Sequence, residues 1–257
     1  MRIRRLITGL GVLSALAITV AACGSGDAGD SGGATGSAPP ATSAAPADPK
    51  EELTAAARKL NETTMKMTLE SVGTTSTGSL DPQRKLGEMT MKVAAAGRSL
   101  DIQIRTIGKD VYLQADGLPG TEGGKWLEIE GSRLAGSSFD VFPEDDPAGT
   151  NRLLNALSDV KKDGPGQFSA TIDLNKTSNP NQAAQLGDKF KALPFKATVD
   201  DEGRLTSTEI DITSVEASAG KTKATYSDFG TTVTVEPPPA GDTVPASDQV
   251  VKMLTGG

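Results

Sequence analysis

The 257-residue sequence predicts an α+β fold organised on an antiparallel sheet. From Thr64 onward, apolar residues recur at every second position in one short run after another, as in strands with one face on a core and one in water. Ahead of these runs, and again between and after them, short stretches repeat their apolar residues at helical spacing. The 209 residues from Pro49 to Gly257 contain no long polar break and no second membrane-length apolar stretch, so they are read as one domain.

The chain opens with Arg2, Arg4 and Arg5, and every residue from Leu6 to Ala22 is apolar or small. That is the pattern of a bacterial signal peptide, expected to span residues 1–22. Val20-Ala21-Ala22-Cys23 places a cysteine where the cut would fall, and this resembles the lipobox of bacterial lipoproteins. The resemblance implies cleavage before Cys23 and a diacylglyceryl thioether on its sulfur, holding the product at the membrane by acyl chains. The competing reading is a membrane-spanning helix, but these 17 residues are at the short limit for crossing about 30 Å of hydrocarbon.

Residues 24–47 consist of Gly, Ala, Ser, Thr and Pro with Asp27 and Asp30, too little apolar surface to offset the entropy of ordering. A disordered tether is expected over 23–48, lipidated at Cys23 and spanning about 27 Å root-mean-square. Loss of the three leading arginines takes Lys+Arg from 26 to 23 against 33 Asp+Glu, a net charge of −10. An acidic chain without a basic run is not a nucleic-acid binder. The single cysteine is consumed by the anchor, so neither a disulfide nor thiol chemistry is expected. The absence of histidine removes the usual general base and the commonest metal ligand, and no enzyme activity, cofactor or metal is expected.

The first helix is expected at Pro49–Asn61: Asp48 supplies an N-cap, proline stands at the first helical position, and Glu51 and Glu52 lie in the first turn. Leu53, Ala56, Ala57 and Leu60 form its apolar stripe. Strands follow through Met65, Met67 and Leu69; Met89, Met91 and Val93; Leu100, Ile102 and Ile104; Val111 and Leu113; and Leu127 and Ile129. Tight turns join them at Ala95-Ala96-Gly97-Arg98 and Ile107-Gly108-Lys109-Asp110. Leu153, Leu154, Leu157 and Val160 are expected on one short helix, then a strand with Phe168, Ala170, Ile172 and Leu174, and a helix around Gln182–Lys191. A hairpin turning at Asp200–Gly203, strands over Lys221–Phe229 and Thr231–Val235 ended by Pro237-Pro238-Pro239, and a last helical turn near Ser247 complete the expectation.

Several local patterns in one order then carry a family resemblance. They are Val111-Tyr112-Leu113 with Gly124-Lys125-Trp126-Leu127-Glu128-Ile129; Leu153-Leu154 through Val160 and a strand ending Thr171-Ile172-Asp173; Leu193-Pro194-Phe195 through Val199 to Leu205; and Tyr226-Ser227-Asp228-Phe229-Gly230. Behind a lipobox and tether, they resemble the actinobacterial LppX/LprG-type lipoproteins, whose fold is similar to the carrier LolA. The resemblance implies a strongly curved antiparallel sheet, a half-barrel, with helices over its concave face and a hydrophobic cavity between. It also implies an acylated lipid or glycolipid as ligand, transfer across the cell envelope, and a location on the extracytoplasmic face of the cell membrane. The expected partners are that lipid, the membrane and a membrane transporter, with the protein itself a monomer.

The candidate cavity lining is Met65, Met67, Leu69, Met89, Met91, Val93, Leu100, Ile102, Ile104, Val111, Leu113, Leu127, Ile129, Ile172 and Leu174. These side chains are slim or flexible, and only nine aromatic residues occur in the chain, which suits soft walls around an acyl chain. Phe139–Ala148, rich in proline and acid and flanked by Gly136 and Gly149, is the candidate gate, with Phe139, Val141 and Phe142 its apolar members. A plain packed core and a ligand-free surface lipoprotein acting as a structural or signalling partner are the competing readings. Trp126 is expected under a loop, and Tyr226–Gly230 as a structural bend. Glu144-Asp145-Asp146 and Asp200-Asp201-Glu202 lack the alternating acids and distal glutamate of a calcium loop.

Overall fold

The computed structural model describes residues 48–95, 98–137, 139–143, 146–177 and 187–256. The chain divides after Ala44, and residues 45–257 form one compact unit. The signal peptide, Cys23, the tether, Glu144-Asp145 and the first half of the helix expected at Gln182–Lys191 lie outside the described residues, and the second half holds only a 3₁₀ turn at Asp188–Phe190.

Helix α1 (Pro49–Arg58) begins as its sequence dictates: the Asp48 carboxylate accepts from the Lys50 amide at 2.8 Å, and the helix runs on into a 3₁₀ turn at Lys59–Asn61. Its stripe of Leu53, Ala56, Ala57 and Leu60 is buried. Among the described residues twelve strands form one sheet. Six come first: β1 (Met65–Ser71), β2 (Thr74–Asp81), β3 (Leu86–Ala95), β4 (Arg98–Ile107), β5 (Asp110–Ala115) and β6 (Trp126–Glu130). After a helix α2 (Thr150–Ala156) come β7 (Leu157–Gly164), β8 (Gln167–Ile172), a single helical turn α3 (Leu174–Thr177), β9 (Leu193–Val199), β10 (Leu205–Asp211) and β11 (Lys221–Ser227). A short β12 (Thr243–Pro245) and helix α4 (Asp248–Thr255), capped by Ser247, complete the chain.

The order in the sheet is β12-β6-β5-β4-β3-β2-β1-β11-β10-β9-β8-β7, antiparallel throughout except for the parallel β12–β6 pair. Both halves are meanders, joined where β1 meets β11. The fold is therefore α+β on a large, mostly antiparallel sheet, and the sheet does not close into a barrel.

Register aligns the inward residues in rows. One row runs Tyr226, Met67, Gly78, Met89, Ile104, Leu113, Leu127; the next runs Ala224, Leu69, Ser76, Met91, Ile102, Ala115. Strand β2, absent from the expected elements, supplies only Thr74, Ser76 and Gly78 to most of its inward face. A Cβ on Gly78 would sit 2.5 Å from the Glu88 carbonyl oxygen, so no larger residue fits between Met67 and Met89. Helix α1 packs on β7 and β10 and against α2, at the other half of the sheet.

Four sequence expectations are corrected here. Leu157 and Val160 lie in β7, not on the helix with Leu153 and Leu154; the helix ends at Ala156, and Asp159 adopts a left-handed backbone beside a break in the ladder with β8. Leu174 opens a helical turn instead of ending a strand. Thr231–Val235 joins no ladder. These residues belong to a strap over the outer face: Gly230 donates to the Thr64 carbonyl at 3.0 Å, Asp228 pairs with Lys66, and Arg105 donates to the Glu236 carbonyl at 3.3 Å. Pro237–Pro239 therefore terminate no strand but lead the strap to β12 at the sheet edge.

Candidate functional site

The residues expected to line a cavity come together on the inward face. Met65, Met89, Ile102, Ile104, Val111, Leu113, Leu127, Ile129 and Ile172 are buried in one continuous core, with Met67, Met91 and Leu174 packed against it. Leu69 and Val93 are half-buried, and Leu100 is exposed at 36 %. Most of this set is thus core, and its free surface lies at the rim around Leu100.

At that rim the carboxyl end of β5, the loop after it and α4 frame an apolar groove of 340 Å³, lined by Leu100, Ile102, Leu113, Leu118, Phe139 and Met253 among others. This volume falls at the small end of the range of about 300–1,000 Å³ typical of ligand pockets. Met253 is 53 % exposed, and Val72, Leu100 and Met253 are the exposed large apolar residues among those described. All three stand at the end of the sheet where β1 turns into β2, β4 begins and α4 ends. Sequence reading supplied Leu100, Ile102, Leu113 and Phe139. It missed Ala115, Leu118, Met253 and Leu254; the signal was the amphipathic end helix, with Val250 and Val251 buried and Met253 turned outward.

Described residues between Gly131 and Ala156 pack on the inward face. Leu134 is fully buried, and Phe142, 8 % exposed, lays its ring over Gly87: a Cβ there would come within 3.1 Å of two ring carbons. Phe139 and Val141 are half-buried against the core. Of the three gate candidates, Phe139 faces the apolar groove while Val141 and Phe142 line a separate, polar cavity.

The segment is fastened by Asp146, which is buried at 4 % exposure. Gly149, the residue before α2, has no side chain to cap it, and the Asp146 carboxylate takes that role by accepting from the amides of Asn151 at 3.0 Å and Arg152 at 2.9 Å. Asn61 ties the same region to α1, donating to Thr150 Oγ1 at 2.8 Å and accepting from the Ala148 amide at 2.9 Å. Gly136 and Gly149, at φ +75° and +67°, flank Phe139–Ala148 with backbone conformations that favour glycine.

A further cavity of 370 Å³ lies under this segment, between Val141, Ala148 and Leu153 above and Ile172, Ile210 and Tyr226 below. Burial raises the Tyr226 phenol above its ordinary range, opposed by a hydrogen bond to Thr208. It stays protonated at any neutral pH and offers a polar contact, not an acid–base group. Trp126 faces outward from β6, with the Arg105 guanidinium 4.8 Å from its ring centre, and the same arginine holds the strap. The bend after β11 has Asp228 at φ +50° and Gly230 at φ +77°, with the Thr231 hydroxyl donating to the Asp228 carbonyl.

Among the described residues no group of three or more His, Cys, Asp or Glu side chains is arranged to hold a metal, and no helix is long and apolar enough to cross a membrane. No protein-family model matches the chain, and no curated protein matches it.

Proposed function

We propose that the chain is a membrane-anchored, extracytoplasmic lipoprotein of the LppX/LprG type that binds an acylated lipid or glycolipid and helps transfer it across the cell envelope. In this reading the sheet curves as a half-barrel, with helices over its concave face, and Cys23 carries the anchor. The observation that carries it is the apolar groove whose walls, Leu100 and Met253, stand open to water at one end of a sheet face built from Met, Leu, Ile and small residues.

An acyl chain entering there first covers Leu100 and Phe139 and then meets Ile102 and Leu113. Going deeper requires the half-buried Met67 and Met91 to change rotamer, which an unbranched thioether does at low cost. Between them on β2 lie the slim Ser76 and Gly78, so no large β2 side chain has to move with them. Each methylene taken from water contributes about 0.8 kcal/mol, so about ten give micromolar affinity before ordering costs. Phe139–Ala148 serves as the gate, pivoting at Gly136 and Gly149.

Native mass spectrometry followed by organic extraction tests this on residues 45–257, one compact unit, produced in a lipid-rich host. A discrete added mass lost on delipidation supports a carrier and identifies the ligand class. A clean apo mass with no uptake of added glycolipid or triacylglycerol sinks the proposal. It would favour the second reading, a ligand-free structural or signalling lipoprotein, which draws support from the nine candidate lining residues already packed in a continuous core.

A further inference from the structure

A cavity with four charged side chains in its lining lies at the opposite end of β4 and β5 from the apolar groove. Its volume is 520 Å³, and it is lined by Lys85, Thr106, Lys109, Glu130, Asp140 and Phe142 with their neighbours. Thr106 lies inward on β4, between Gly87 and Val111 in register, and is 4 % exposed. Among the described residues its Oγ1 has no hydrogen-bond partner. A buried hydroxyl without a partner is costly to keep, and it points to a polar group that completes it.

The charges around it narrow the chemistry. Among the described residues neither Lys85 nor Lys109 forms an ion pair, and Glu130 has no cationic partner. Asp140 accepts from the Gly136 amide through Oδ2 and keeps a second oxygen. Two ammonium groups and two carboxylates give the cavity no net formal charge. An anion would meet Glu130 and Asp140; a cation would meet Lys85 and Lys109. A neutral group that both donates and accepts satisfies all four and the Thr106 hydroxyl as well, and the Phe142 ring offers an apolar wall for the carbon face of a sugar.

We propose that this cavity is a binding site for an uncharged polyhydroxylated group, a sugar or cyclitol ring, with Thr106 Oγ1 as its buried anchor. The site stands whether or not the apolar groove takes a lipid. The same ring chemistry comes either as a free sugar or as the head of a glycolipid, and the two are separable by experiment.

The test is a titration of the protein with methyl glucoside, methyl galactoside and myo-inositol, followed through the methyl resonances of Thr106 and Val111. At least one ring shifts these methyls saturably at millimolar concentration, Thr106→Ser retains the response, and Thr106→Val weakens binding about tenfold while the protein melts no lower than before. An alkyl glucoside below its micellar threshold separates the sources: tighter binding that also shifts Ile102 and Leu113 marks a lipid head, whereas affinity equal to the methyl glucoside marks a free sugar. Unshifted methyls at tens of millimolar of every ring overturn the proposal. So does unchanged binding in Thr106→Val, or a preference for inorganic phosphate that depends on Lys85 and Lys109.

Discussion

Replacing Asp146 with alanine removes one carboxylate and releases several groups at once. It is a buried acceptor for the Asn151 and Arg152 amides, at 3.0 and 2.9 Å, and for the Thr150 hydroxyl at 3.3 Å. Losing an N-cap acceptor costs about 1 kcal/mol, and leaving buried donors unpaired adds about 1–2 kcal/mol, so a total near 2–3 kcal/mol is expected. In a domain of this size each kcal/mol lowers Tm by about 2–4 °C, which puts the fall at about 4–12 °C. Thermal unfolding followed by circular dichroism reads that shift, and amide hydrogen exchange at Asn151 and Arg152 locates it. Asp146→Asn keeps one acceptor and should lose roughly half as much. If Asp146→Ala melts within about 1 °C of the parent and those two amides exchange no faster, the carboxylate does not hold the segment and the capping argument is wrong.

Three other outcomes follow from the same structure. Gly78→Ala places a Cβ 2.5 Å from the Glu88 carbonyl oxygen and 2.6 Å from Met89 Cγ, and should destabilise by about 1–3 kcal/mol in urea unfolding; an unchanged midpoint refutes the close approach. Desolvation works to raise the Asp200 carboxyl, but the amide and guanidinium of Arg204 and the amide of Glu202 outweigh it and hold the group below its ordinary range. Its stabilising effect is thus present above the unfolded value of about 3.9 and is lost as pH falls through the lower folded value, so Asp200→Asn should shrink the loss of stability below about pH 4 and leave the slope near neutrality unaltered. Phe139→Asp puts a charge into the wall of the apolar groove and should change the rate of lipid exchange; fluorescent-lipid transfer at the parental rate removes this residue from the gate.

Where hydrophobic alternation is strong, in β1 and β3–β6, the strands and their inward residues were legible, because burial on one face imposes period two. Strand β2 was invisible for the same reason: Thr-Thr-Ser-Thr-Gly-Ser has no apolar alternation, and its pairing is dictated by the methionines on either side, which need a slim neighbour. In β7, Leu157 and Val160 continue the helical spacing of Leu153 and Leu154, and only the tertiary pairing with β8 decides for a strand. Thr231–Val235 has strand composition, yet β11, the strand it follows, is already paired on both sides, with β1 and β10. Of the apolar groove, the half on strands was legible. The half on α4 was not, since nothing local says that a C-terminal helix returns to the end of β5.

The junction of β1 and β11 has a kinetic consequence. Every other antiparallel pair in the sheet joins consecutive strands, but this one, at the middle, joins residues about 157 positions apart. Closing so long a loop contributes nothing until both meanders exist, so the two halves form early and the central seam forms late. Until residue 227 is available, β1 has a bare edge whose inward residues are Met65, Met67 and Leu69. A ribosome-bound chain therefore cannot complete its sheet. Synthesis proceeds with the central hydrogen bonds unmade, and the native state is reached in one late step.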